Sequence, residues 1–79
     1  MNASPVGGKV ATLIASMDWA DSPLPAPDAW PQSLRTAVDI VTHSPMPMLL
    51  LWGTQLCQLY NDAFALLVGS NHPRALGQP

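Results

Sequence analysis

Glutamate is absent from this 79-residue sequence, and there is no second cysteine to pair with Cys57. A lone cysteine cannot close an internal disulfide. With two histidines and no Cys/His cluster, the chain also offers no structural metal site, so the usual staples of a small domain are missing. Charge is scarce, at 10% of residues against 48% hydrophobic, which excludes a disordered acidic tail and a basic nucleic-acid arm. Long apolar runs are lacking as well. Met46–Trp52 is the longest, contains Pro47, and falls far short of the ~20 residues that cross a bilayer. Val10–Met17 runs into Asp18 with no small-x-small cleavage site, which argues against a secretory signal. The expected setting is cytoplasmic, with a reduced thiol, no nucleic-acid partner and no membrane insertion.

Turn-forming residues are plentiful, with nine prolines and five glycines. Residues 1–8 are mostly small or turn-forming and are expected to fray. Val10, Leu13, Ile14 and Met17 then follow i, i+3, i+4, i+7 spacing, which predicts an amphipathic leader helix. So short a helix is unstable in water alone and must pack on something. Residues 20–31 hold Pro23, Pro25, Pro27 and Pro31, which predicts a stiff, largely extended strap and not a proline-rich recognition ligand. A second helix is announced by Asp28 and Pro31 and carries Leu34, Ala37, Val38 and Val41 on one stripe. Pro45 and Pro47 end it near residues 42–44.

Residues 48–52 read as a strand that is apolar on both faces, with Met48, Leu50 and Trp52 on one side and Leu49 and Leu51 on the other. Neither face suits water, so both are expected to be covered. Gly53-Thr54-Gln55 predicts a hairpin turn into a second strand, Leu56–Tyr60, paired antiparallel. Asn61-Asp62 then caps a short helix over about 62–68 that Gly69 closes, and Pro73–Leu76 adds one helical turn. The fold class is α+β: two N-terminal amphipathic helices, one antiparallel hairpin at about 47–60, and a short helix.

Three ordered blocks resemble the opening of a PAS-type sensory domain of bacterial sensor histidine kinases. They are Trp30, Pro31, Ser33, Leu34 and Arg35; then Pro47, Met48, Trp52 and Gly53; then Tyr60, Asn61, Asp62 and Ala63. His72-Pro73, Leu76-Gly77 and Pro79 follow in register, and Asp18-Trp19 with Ser22-Pro23-Leu24 fit the leader. The resemblance spans roughly residues 10–79. It implies a helical leader with a proline-rich connector over 1–44 and the first part of a PAS domain over 45–79. A complete domain would continue through a longer helix and three further strands. The assignment hangs on the ribbon around Leu50 being sandwiched by preceding and succeeding coils; a ribbon wound helically, or bare to water on either flank, would overturn it.

The implied function is that of a sensory, signal-transduction element of a two-component phosphorelay, modulating kinase output by ligand sensing or protein contacts. The alternative is a free-standing, truncated interaction protein without ligand or catalytic activity. An enzyme is not expected, because no triad, paired carboxylates or phosphate-cradling loop can be assembled. No cofactor is expected: the haem histidine or flavin cysteine of such domains belongs to the longer helix, so His43, His72 and Cys57 read as structural. Trp52, Tyr60, Asn61 and Asp62 are the candidate pocket-lining residues, although core packing and capping explain them as well. Val10, Leu13, Ile14 and Met17 are the candidate interaction face for a protein partner or a homodimer. Arg35 could pair with Asp39 along the second helix.

Overall fold

The computed structural model describes residues 8–20 and 22–79; of the frayed start expected over 1–8, residues 1–7 lie outside the described residues and Gly8 opens the first helix. The leader forms helix α1, Gly8–Ser16, with Val10 and Ile14 buried and Leu13 and Met17 packed beside them. Helix α2 spans Gln32–His43 and buries Leu34, Val38 and Val41, the stripe its spacing foretells. Pro31 sits one residue ahead of the helix rather than within its first turn. Its carbonyl accepts the N–H groups of Leu34 and Arg35, which gives two end donors a partner. Arg35 reaches back to the Asp28 carbonyl at 2.9 Å, while Asp39 lies beside His43, so the expected Arg35–Asp39 pair does not form.

The proline-rich strap departs from the largely extended form expected. It bends at residues 22–24 and makes a 3₁₀ turn at Pro27–Ala29, where a proline's fixed φ suits the first position. Two tryptophans fasten it. Trp19 donates its indole N–H to the Ile14 carbonyl and Trp30 to that of Pro25, and the two rings meet edge to face at 5.3 Å. Leu24, between them, is buried. Aromatic bodies inside, each with its polar edge bonded, hold the strap on the core.

The hairpin pairs β1, Leu49–Trp52, antiparallel with β2, Cys57–Tyr60, in the register Leu50 to Leu59 and Trp52 to Cys57. The turn takes in Leu56, whose φ of 54° is uncommon for a non-glycine residue, so β2 begins one residue later than expected. On the inner face Leu59 and Cys57 are buried under the helices. On the outer face Tyr60 is buried against Phe64 and His72, but Leu49 is 40% exposed and Leu51 48%. The expectation that both faces of β1 are covered is therefore not met. The downstream chain lies over the β2 side of the outer face, and the sheet of the described residues stops at two strands.

Helix α3, Asp62–Val68, follows β2 at once and ends on Gly69. A 3₁₀ turn at Gly69–Asn71 comes next, and the turn around Pro73–Leu76 is looser than the helical turn expected. The chain then returns to the sheet. Gly77 donates to the Gln58 carbonyl at 2.7 Å, and the Gln58 N–H donates to that of Gln78 at 2.9 Å, so β2 is bonded along both edges. Gly77 has φ +79° and lies against the Trp19 ring, where a Cβ would come within 2.9 Å of ring carbon; only glycine fits this approach. Leader, strap, hairpin and tail share one buried cluster from Val10 to Leu76. The radius of gyration, 11.8 Å, is close to the ~11–12 Å of a compact domain of this length. The leader is thus part of the core and not an appendage to it.

Candidate functional site

Asn61 and Asp62 stand where the hairpin becomes α3, and each joins distant parts of the chain. Asn61 is 1% exposed. Its Oδ1 accepts the Phe64 N–H, which caps α3, and the Met48 N–H at 3.2 Å. Its Nδ2 donates to the carbonyls of Val41, Ser44 and Met46, the last at 2.6 Å. One amide therefore ties the end of α2, the prolyl connector, the start of β1 and the start of α3. Both its donor and its acceptor sides are used, so none of its bonding capacity is left for a ligand.

Asp62 acts on the far side of the same joint. Its carboxylate accepts the N–H groups of Lys9 and Val10, at 2.9 and 2.7 Å, at the start of α1. A helix N-terminus with free donors and positive dipole charge favours such an anion. Gly8, at φ +83°, makes the approach practicable, because a Cβ there would overlap the carboxylate. Asp62 is thus a cap supplied from more than fifty residues away, which spacing alone does not reveal.

Tyr60 is fully buried, and its hydroxyl lies 2.7 Å from His72 Nδ1. The phenol donates where Nδ1 carries no proton, and accepts where it carries one. Burial pushes the Tyr60 hydroxyl above its usual value of 10.0. Trp52 stands apart at the turn end of the hairpin, beside a small cavity of about 110 Å³ with Pro23, Leu24 and Cys57. The four residues expected to line one pocket are therefore not brought together: one caps α3, one caps α1, one is core, and one borders a separate crevice.

The expected interaction face fares differently again. Val10 is 2% exposed and Ile14 5%, so these two are spent inside the chain, where α1 packs on α2 and α3, while Leu13 and Met17 at the margin of the stripe stay half-buried.

An open groove of about 740 Å³ lies between α3, the outer face of β2 and the tail. Its walls include Gln58, Phe64, Val68, Arg74 and Ala75. The sequence reading missed it. Phe64, Leu67 and Val68 do share one helical stripe, but Gln58 joins them only through the strand register, and Arg74 only through the return of the tail. Among the described residues no three His, Cys, Asp or Glu side chains converge as a metal site would need, and no helix is long and apolar enough to cross a membrane. No protein-family model, no curated protein and no solved structure matches this chain.

Proposed function

We propose that the chain is the first part of a PAS-type sensory module, acting in signal transduction by sensing a ligand or by protein contacts, without catalysis of its own. One observation carries this reading: an antiparallel hairpin passes directly into an Asn-capped helix, with an open groove between that helix, Gln58 and the tail. That order of elements is the one the resemblance implies. The bare flank at Leu49 and Leu51 is the outcome that counts against the PAS assignment, so the reading rests on the order of elements alone. The parent protein on this reading is a cytoplasmic sensor histidine kinase of a two-component phosphorelay.

Sequencing the coding DNA beyond codon 79 tests the parentage. An in-frame continuation into a longer helix, three strands and then a histidine-bearing helix with an ATP-binding domain is the expected result; an immediate stop codon or an unrelated continuation overturns it. A second reading, a free-standing interaction protein without a ligand, is favoured by the way residues 77–78 close the outer edge of β2 and Leu76 seals the core. Cooperative melting of the 79-residue chain, followed by circular dichroism, speaks for this second reading; a molten species speaks against it.

A further inference from the structure

The two edges of the hairpin are treated in opposite ways, and the difference fixes a geometry for self-association. Gln58 directs its N–H and C=O away from β1, to residues 77 and 78. Since these groups alternate along a strand, Cys57 and Leu59 bond to β1, and their partners Trp52 and Leu50 bond back. The backbone groups of Leu49 and Leu51 therefore point outward, along an edge beside which no strand of the described residues lies. The side chains of these two leucines are themselves 40% and 48% exposed. Natural edges are guarded by charge, proline or a bulge. Leu49–Trp52 has none of these, and no charged residue occurs from Ser44 to Asn61.

We infer that β1 pairs antiparallel with β1 of a second copy of this chain, so that two hairpins form one four-stranded sheet, β2–β1–β1–β2. The occupant is a second copy because the edge is self-complementary. Leu49 of one copy meets Leu51 of the other, and each such pair exchanges two N–H···O bonds, four in all, around a two-fold axis at Leu50. Shifting the register one way sets Leu51 against Pro47, which has no N–H; shifting it the other way sets Leu49 against Gly53, which is in the turn at φ +79°. The register centred on Leu50 is the one that draws all four bonds from Leu49 and Leu51 themselves; centred on Leu49, two of the four fall on Pro47 carbonyls outside the strand, and centred on Leu51, the Gly53 carbonyl is already held by the Leu56 N–H. The outer leucines then cover one another across the axis. An uncharged edge and a net charge of −2 leave little repulsion between copies. The strand is short, so the dimer belongs to the weak, small-interface class. This contact replaces the leader helix as the surface of association and does not depend on the sensory reading.

Amide hydrogen exchange of the wild-type chain, followed by NMR over a concentration series alongside sedimentation, tests the inference. Protection at Leu49 and Leu51 should rise with concentration in step with a monomer–dimer transition, while Leu50 and Trp52, bonded to β2, stay protected throughout. L51K should raise the dimer dissociation constant at least about tenfold, whereas L66K, on the most exposed part of α3 and outside the groove, should leave it unchanged. A mixed sample of labelled and unlabelled chains should show a contact between the Hα atoms of Leu50 in the two copies. A monomer at all concentrations, a dimer insensitive to L51K, open-ended aggregation, or a chain with no protection at Leu50 and Trp52 overturns it.

Discussion

The two strands of the hairpin contradict their own compositions. β1, Leu-Leu-Leu-Trp, is apolar at every position and has two half-exposed leucines; β2, Cys-Gln-Leu-Tyr, contains a glutamine and a phenol and is buried almost throughout. The difference lies in neighbours. β2 has β1 on one edge and residues 77–78 on the other, helices beneath it, and Phe64 and His72 above Tyr60. Among the described residues β1 has a neighbour on one edge only. Burial here follows the number of elements that reach a strand, and hydrophobicity sets only how costly an unreached strand is.

The sharpest way to break this comparison is truncation in each strand. Leu59→Ala, at a fully buried position, should cost about 2–5 kcal/mol, which in so small a domain abolishes cooperative unfolding in a urea titration. Leu51→Ala, measured at a concentration low enough to hold the chain monomeric, should stay within about 0.5 kcal/mol of the parent. Equal losses at the two sites would mean that β1 is covered after all.

Asn61→Ala comes next, at about 3 kcal/mol, because it removes the α3 cap and strands carbonyls of the connector inside the protein. Asn61→Asp keeps the acceptor for Phe64 and Met48 but can no longer donate to Val41, Ser44 and Met46. A loss as large as that of the alanine variant would assign the joint to its donor side. Asp62→Ala should cost about 1 kcal/mol through the uncapped start of α1, seen as a lower urea midpoint with faster amide exchange at Lys9 and Val10.

The smallest effect concerns the covered side of the outer face. The fold favours the neutral Tyr60 phenol, whose value lies above 10.0 when folded, whereas the unfolded chain ionises near 10.0. Stability is therefore unaffected by this group below about pH 10. It declines as pH rises from there through the folded value. Tyr60→Phe should remove that alkaline decline, at a loss near neutrality of about 1 kcal/mol for the bond to His72. Urea midpoints of both chains between neutral and alkaline pH check the point, and an unchanged alkaline slope would show that another group is responsible.

Both long helices, the antiparallel hairpin and the Asn61 cap were legible in the sequence, because each depends on interactions within a few residues: apolar spacing, proline as a stop, a side chain bonding its own helix start. The candidate site was much less so. Asn61 and Asp62 stood out as a capping pair, yet nothing nearby indicated that Asp62 caps a helix beginning at Gly8, or that one Asn61 amide collects three carbonyls from the end of α2 and the connector, fifteen or more residues away. Trp52 and Tyr60 were grouped by chemistry, and the register separated them.

The order of elements and the inward stripe of each helix are therefore properties of the sequence itself, fixed by periodicities that steric and hydrogen-bonding rules impose locally. Tertiary structure decided which apolar surface is covered. Val10 and Ile14 are buried within the chain, while among the described residues nothing covers Leu49 and Leu51 as fully. Coverage depends on where distant segments arrive: the return of residues 77–78 to β2 protects one edge of the sheet, and the other edge has no such segment among the described residues.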